Sequence, residues 1–586
     1  MNRICRLSGK EFTITEEDIA FYDKVSPVFN GVKYALPPPT LCPDERARSR
    51  MVWRNERKLY SRKCDFSGKS IISIYPPDSH FKVYDQTAWW GSEWDGVSYG
   101  REFDFSKSFF EQFEELLLEV PRLSIVNSQH QNSEYCNYAF SNKNCYLTFG
   151  SFYQEDCMYD NYCKGNKSSI DSLWLYDSEL CYECLFSKKL YQCKFVDHSE
   201  SCSDCYFSID LRGCQDCFGC VGLRQKQYYI LNQKYSKEEY FQILASYELH
   251  TYSGMKKAKE SIFYKLREMF PIRSCYQTNT QNSVGDNLVN DKDCFWCFDC
   301  TNCEDVKYGV QLDEVFSSQD MTCMGYERSE LVYYTTGGTA AFHNLFCSSC
   351  WNTNEIFYSD LCMNSSHCFG CVSLQHKEYC ILNKQYSKEE YEALVPRIIE
   401  HMKRGSVGGS LWTVENSNTN FDSEKTTVNR PQTTDQEWGE FFPSHISPFS
   451  YNETIVQDYY PLTKEEVLQK GWKWMDSSIV QTGFIPSVHE IPDSISNVSD
   501  DICKQILHCE ITHIPYKILP KEFEFYKKLN IPIPRRCPDQ RHRDRLNFRN
   551  DRFLSKKVCE KCRKELDSSS RVGKIYCEAC YLGEVY

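Results

Sequence analysis

Over most of the chain the apolar positions do not follow a helical period. Instead, small or sulfur-bearing positions recur in frames of twelve: Cys145, Cys157, Ser169, Cys181, Cys193, Cys205 and Cys217 are evenly spaced. The frames, such as SELCYECLFSKK and CSDCYFSIDLRG, are rich in Tyr, Phe, Cys and Ser, which favours strands over helices. A period of twelve fits neither a heptad nor a common helical repeat, so the pattern predicts a β-solenoid. Stacked coils place Cys or Ser at a narrow interior site, with Tyr146, Met158, Ile170, Tyr182, Tyr206 and Phe218 on the neighbouring ladder. One coil takes either twelve or twenty-four residues. Val332, Asn344, Ile356 and Cys368 continue the spacing further on, and the step from Val306 to Val332 carries two extra residues.

Helical spacing is confined to short stretches. Ser236 with Glu239, and Ser387 with Glu390, have capping-box spacing ahead of YFQILASY and YEALVPRII, and these helices are expected to cap the two arrays. Further helices are expected from Ser108 to Val120, again with a box, and from Thr463. Residues 403–436, rich in Gly, Ser, Thr and Asn, read as a linker or long loop.

Two internal repeats set the organisation. The segment Cys217 to Tyr240 matches Cys368 to Tyr391 at 17 of 24 positions. The segment Cys42 to Cys64 matches Cys537 to Cys559 at 11 of 23, and the match reaches outward to Cys5 and Cys509, and to Lys82-Val83-Tyr84 and Lys574-Ile575-Tyr576. The expected layout is a degenerate zinc-ribbon-like module (1–95), a helical connector (96–130), a first cysteine-rich array with its capping helix (131–255), a second (256–402), a linker and helical segment (403–500) and a zinc-ribbon module (501–586). The fold class is mainly β with some α.

Charge adds a polarity to this picture. Residues 1–70 carry about +5 and residues 503–586 about +8, leaving −26 for the middle of a chain whose formal net charge is −13. The sequence shows no apolar leader and no run long enough to span a membrane, so a cytoplasmic location is expected. In a reducing compartment the 34 cysteines are better read as metal ligands or buried thiols than as disulfides.

One constellation has clear metal-ligand spacing. Cys559-x2-Cys562 and Cys577-x2-Cys580 are two knuckles separated by fourteen residues, which suits Zn2+, with an iron site or unligated thiols as the alternatives. Four thiolates leave no open coordination position, so the role is structural. In the N-terminal copy Cys64 and Ser67 face Asp85 and Ala88, and the zinc is expected to be lost. Cys5 with Cys42, and Cys509 with Cys537, retain two cysteines each beside Ser8, Glu45, Thr512 and Gln540, and read as degenerate metal sites. The runs Cys294-Cys297-Cys300-Cys303 and Cys214-Cys217-Cys220 have spacing that suits buried interior thiols, a metal cluster or disulfides.

Arg541, Arg543, Arg545, Arg549 and Arg552, matched by Arg46, Arg48, Arg50, Arg54 and Arg57, are the densest basic runs. Beside a zinc ribbon they suit contact with RNA or DNA phosphates; alternatively they pair with Asp544, Asp551 and Glu56. No nucleotide-binding loop, G-x-S-x-G or HExxH occurs.

A knuckle, Phe and Glu before FY, and then CP followed by alternating arginines resemble the zinc-ribbon, treble-clef-like modules of uncharacterised bacterial proteins. With its CFGC, YILN and YSKEEY repeats and closing CEACYLGEVY, the whole chain is similar to large cysteine-rich proteins of candidate-phyla bacteria. That resemblance implies a zinc-binding fold and no particular activity; the missing knuckle cysteines depart from it. The leading expectation is a non-enzymatic zinc-binding protein that binds nucleic acid or a ribonucleoprotein. The alternatives are a metal- or redox-active protein using the CxxCxxC runs, and a scaffold whose exposed Tyr ladders bind protein.

Overall fold

The computed structural model describes residues 1–325, 327–404, 436–476 and 491–585, so residues 405–435 of the expected linker lie outside it. Strands predominate, helices lie between them, and no sheet closes on itself. Two compact units are present, each assembled from two separate stretches: Met1–Ser124 with Gln277–Asp476, and Ile125–Tyr276 with Ser477–Tyr586.

In the second of these units a seven-stranded sheet runs in chain order from Leu173–Tyr176 to Gln233–Lys234, parallel up to its last pair. Paired residues differ by twelve: Leu173 with Leu185, Lys194 with Tyr206, Gln215 with Gln227. Single parallel bridges carry the same offset back through Gln131, Lys143, Glu155 and Lys167. Parallel partners along this stretch are therefore twelve residues apart.

Backbone angles carry a shorter period. Tyr153, Asp156, Tyr159 and Tyr162 have φ of 54, 54, 58 and 53°, and left-handed values recur at about every third residue along the array. Each such residue makes a corner that bends the chain, at about every third position. The residue two places before a corner faces inward: Cys157, Asp160 and Cys163 are fully buried. A left-handed non-glycine residue costs about 1–2 kcal/mol, and backbone hydrogen bonds offset it. Tyr146 donates its N–H to the Cys157 carbonyl and Tyr159 to that of Tyr146, both at 3.0 Å.

At several inward positions the backbone N–H is met by a side chain twelve residues earlier. Cys163 N–H donates to Ser151 Oγ at 3.1 Å, and Ser178 N–H to Asn166 Oδ1 at 3.0 Å. Ser178 passes its own proton to the Tyr176 carbonyl at 2.7 Å. Buried thiols use carbonyls in the same way: Cys193 Sγ lies 3.5 Å from Tyr191 O and 3.6 Å from Cys202 O. A narrow interior carrying such N–H groups thus suits Ser, Asn and Cys. Cys214, Cys217 and Cys220 occupy successive inward positions, which accounts for their spacing.

The other unit holds an eleven-stranded sheet of the same kind, from Gln277–Thr278 to Lys384–Gln385. Its offset is eleven at Gln277 with Leu288, twelve in the middle and fourteen at Val315 with Ser329, where the two extra residues lie. Both arrays end alike. Asn232 bonds both the N–H and the C=O of Val221, and Asn383 does so for Val372, which gives the YILN motifs a role at the last turn. Helices Lys237–Ser246 and Lys388–Arg404 follow, their boxes formed by Ser236 with Glu239 and Ser387 with Glu390. Phe109–Glu119 is N-capped by Ser108, and Lys464–Gln469 has its box from Thr463.

Within the unit that contains it, the ladder of Met158, Ile170, Tyr182 and Phe218 is buried against Phe523, Phe525 and Tyr526 of the C-terminal module and Phe263 of a neighbouring helix. Tyr146 and Tyr206 of the same ladder are only half-buried, so part of it joins module to array and part stays accessible.

Candidate metal centre

The C-terminal site begins on an antiparallel hairpin, Ser555–Val558 with Glu565–Ser568, whose turn carries Cys559 and Cys562. Cys559 donates its N–H to Lys564 O and receives one at its own carbonyl from Arg563, both at 2.9 Å; Arg563 sits at φ 63°. Strand Lys574–Tyr576 then leads into helix Glu578–Val585, placing Cys577 just before the helix and Cys580 in its first turn. Glu560 N–H to Ile575 O, at 3.0 Å, clamps the two halves. The strand is anchored in parallel on Pro271–Arg273, and the Tyr581 hydroxyl donates to Asp210 at 2.7 Å.

The sulfurs of Cys559, Cys562, Cys577 and Cys580 lie within 4.8 Å of one another, the one such metal-capable group among the described residues. Cys562 and Cys577 are 3.8 Å apart, which is the edge of a tetrahedron with metal–sulfur distances of about 2.3 Å. Burial alone would raise the Cys559 pKa, but N–H groups of Cys562, Cys577 and Lys561 bring it down to about 6. Cys580 is pushed up to about 12 by hydrogen bonding with Cys577, by burial and by the remaining sulfurs. Four crowded thiols cannot all ionise by themselves, and a divalent cation removes that conflict.

The same frame occurs three more times. At Cys64, the clamp is Asp65 N–H to Val83 O at 2.9 Å, and strand Val83–Tyr84 pairs in parallel with Arg122–Leu123. Here hydrogen bonds take the place of metal. Cys64 Sγ accepts from Ser67 N–H at 3.3 Å and Asp85 N–H at 3.2 Å, Ser67 Oγ donates to Asp85 at 2.8 Å, and Asp85 caps the next helix through Ala88 N–H at 2.9 Å. Burial notwithstanding, the Ala88 N–H, Cys64 and Ser67 hold the Asp85 carboxyl below its ordinary pKa.

The two remaining frames carry the cysteine pairs. Arg6 N–H bonds Thr40 O at 3.2 Å and Glu510 N–H bonds Arg535 O at 3.0 Å, while Cys42 and Cys537 sit at the N-caps of helices Pro43–Met51 and Pro538–Phe548. Ser8 Oγ and Thr512 Oγ1 each lie 3.7 Å from the second sulfur. Glu45 is taken by Arg48, and Gln540 donates to Asp544 at 2.9 Å, so neither supplies a further ligand. Against the effect of burial, Thr512 and N–H groups of Cys537, Thr512 and Ile511 lower Cys509 to about 7, while burial raises Cys537.

The arginine runs face inward. Arg46, Arg50, Arg54, Arg541, Arg545 and Arg549 are all buried, Arg48, Arg57 and Arg552 are half-buried, and Arg543 is exposed. Spacing of four along a helix puts Arg541 and Arg545 on one face, where both meet Asp171 of the array, at 3.1 and 2.9 Å. Arg541 also bonds Glu522 at 3.2 Å and Tyr526 at 2.9 Å. In the other unit Arg46 and Arg50 meet Asp320 at 2.8 and 3.1 Å. Arg54 pairs with Glu56, and Arg552 lies over the Trp174 ring at 5.2 Å. Most of the charge of these runs is thus neutralised inside its own unit, and Arg54 with Glu56 is one of the pairs expected as the alternative.

Asp171, Asp320 and Glu522 were not singled out from the sequence. Their partners lie hundreds of positions away or on another helix, and no spacing signals them. Module and array also share an equivalent aromatic contact in each unit, Tyr22 with Tyr333 at 5.4 Å and Tyr526 with Tyr182 at 5.8 Å. All cysteines carry free thiols.

No family model matches the chain, and no curated protein matches it. Among solved structures, one described as a "putative acetyltransferase" from Desulfovibrio desulfuricans is similar at 6% identity over 42% of this chain and 63% of its own length. Its TM-score of 0.11 is too low for a shared fold, and the likeness carries no argument.

Proposed function

We propose that this chain is a non-enzymatic, zinc-dependent scaffold protein whose two arrays are β-solenoids of twelve residues per coil, each braced by a zinc-ribbon-like terminal module. The single observation that carries the reading is the four-sulfur group at Cys559, Cys562, Cys577 and Cys580. These residues would hold Zn2+ with no coordination position left for a substrate, so the ion's contribution is to folding. Its place is the C-terminal module, which docks on Asp171 and Asp210 of its array. Zinc is preferred to iron because two Cys-x2-Cys knuckles on a hairpin and a helix start form a closed tetrahedral thiolate site of the structural zinc type.

The partner of such a scaffold is proposed to be protein rather than nucleic acid. Buried, carboxylate-paired arginines lend no support to phosphate binding, and the net charge of −13 opposes it. No helix among the described residues is long and apolar enough to cross a membrane, and a reducing compartment such as the cytoplasm is the proposed setting for 34 cysteines.

Metal analysis of the purified protein tests the first half: one zinc per chain is expected, and an iron chromophore or absence of metal overturns it. Partner capture with and without nuclease tests the second half. Co-purification that survives nuclease supports the scaffold reading; nuclease-sensitive, salt-dependent capture of RNA or DNA restores the nucleic-acid reading.

A further inference from the structure

Two of the four knuckle frames retain cysteines only at the first and third ligand positions, one in each terminal module: Cys5 with Cys42, and Cys509 with Cys537. Their surroundings match closely. In both, the first cysteine donates N–H across the knuckle turn, to Lys10 O at 2.8 Å and to Ile514 O at 3.0 Å. In both, the second cysteine is the N-cap of a helix of nine or more residues. A hydroxyl, Ser8 or Thr512, stands at the second position, 3.7 Å from the second sulfur. In each pair burial raises the pKa of the second thiol and the first thiol helps to raise it, as a neighbouring thiol does. The same frame brings the first- and third-position sulfurs, Cys559 and Cys577, within 4.8 Å in the C-terminal knuckle.

A metal is a poor occupant of these pairs, since the fourth-position side chains are engaged by Arg48 and Asp544. The array thiols also neighbour one another, but they are engaged by backbone carbonyls, as Cys193 is by Tyr191 and Cys202. We propose that Cys5–Cys42 and Cys509–Cys537 are reversible dithiol–disulfide pairs, oxidised by a low-molecular-weight disulfide, so that a sulfur–sulfur bond closes the frame that metal closes at Cys559.

The chemistry balances without other reactants. The Cys509 sulfur, held as the more acidic of its pair by N–H and hydroxyl donors, attacks one sulfur of the small disulfide. Its bond breaks and one small thiolate leaves, taking up the proton. The Cys537 sulfur then attacks Cys509, forming the protein disulfide and releasing the second small thiol with the Cys537 proton. Two protein thiols are oxidised and one small disulfide is reduced to two thiols.

The experiment uses the full-length, zinc-loaded protein equilibrated in glutathione buffers of stepped ratio, then alkylated and mapped by mass spectrometry, with zinc measured in parallel. The expected result is two linked peptides, Cys5 to Cys42 and Cys509 to Cys537, appearing while zinc stays at its starting level and the array cysteines remain alkylated. Cys537→Ser should trap glutathione on Cys509. The proposal is overturned if these four cysteines stay reduced until zinc is lost, or if they link to array cysteines instead. It is equally overturned if zinc exceeds one per chain and Cys509→Ser removes the excess.

Discussion

The knuckle at Cys559 and the knuckle at Cys64 share a hairpin, a clamp bond of 3.0 or 2.9 Å and a helix beginning at the third position, yet they are closed by different means. The first offers four sulfurs to a metal. In the second, Ser67 and Asp85 exchange a hydrogen bond of 2.8 Å and Cys64 accepts two N–H groups. The backbone frame is thus independent of the metal once polar groups satisfy one another. The difference lies in dependence: a hydrogen-bonded knuckle is self-sufficient, whereas four crowded thiols need a cation.

The largest effect that sharpens this comparison is loss of a sulfur. Cys577→Ser should release zinc and leave the last thirty or so residues open to protease, because structural zinc contributes on the order of 10 kcal/mol to small metal-dependent folds. Metal analysis and limited proteolysis check it, and stoichiometric zinc in the variant would refute the site. The converse is a gain: Ser67, Asp85 and Ala88 all replaced by Cys should raise zinc from one to two per chain.

Next come the buried anchors, where both modules should behave alike despite their different knuckles. Asp171→Ala leaves Arg545 without its carboxylate and Arg541 with Glu522 alone, and Asp320→Ala strands Arg46 and Arg50, inside their units. Removing one partner of a buried ion pair costs about 3–5 kcal/mol. Urea denaturation should show a loss of that size for each, with zinc retained by Asp320→Ala.

Smaller losses are expected where a single packing or hydrogen-bonding group is removed. Cys193→Ala removes one interior thiol and should cost about 1–2 kcal/mol, with Cys193→Tyr far worse through overpacking. Asp85→Ala loses a helix cap and a side-chain bond, about 1–2 kcal/mol, and should leave metal content unchanged. A change in zinc with Asp85→Ala would break the distinction between the two knuckles.

The smallest effect concerns a surface ladder on the second array. Hydrogen bonds from His343 and His367 hold the Glu355 carboxyl down to about 2. A depressed carboxyl pKa stabilises the fold above the ordinary carboxyl range and loses that contribution as pH falls toward 2. The stability difference between the native protein and Glu355→Gln should therefore be present near pH 6 and shrink steadily from about pH 4.5 downward. A pH series of denaturation midpoints checks the sign; a difference that grew on acidification would contradict it.

Much of this was legible in the sequence. The twelve-residue spacing marked the frames that the pairing register follows, because parallel partners twelve residues apart place like side chains side by side. Ligand spacing marked Cys559, Cys562, Cys577 and Cys580, because two knuckles are local structures. The finer period of three was also present, in CxxC runs such as Cys214-Cys217-Cys220 and in the Asn and Asp residues at left-handed corners. It went unread because Tyr and Phe occupy other corners, and aromatic residues do not signal a positive φ.

What only the tertiary structure decided is who meets whom. Each compact unit brings together one end segment and one middle stretch of the chain. The N-terminal module packs on the second array and the C-terminal module on the first. Chain order suggests the opposite pairing, since neighbours in sequence usually meet. The choice rests on contacts such as Arg46 with Asp320 and Arg541 with Asp171, separated by 274 positions in the first case. The same contacts decided that the densest arginine runs are internal. A helical sequence displays its charges without saying which face is covered, and burial by a distant partner has no local signature. Sequence spacing fixes what each frame and knuckle can be; long-range complementarity alone selects their neighbours.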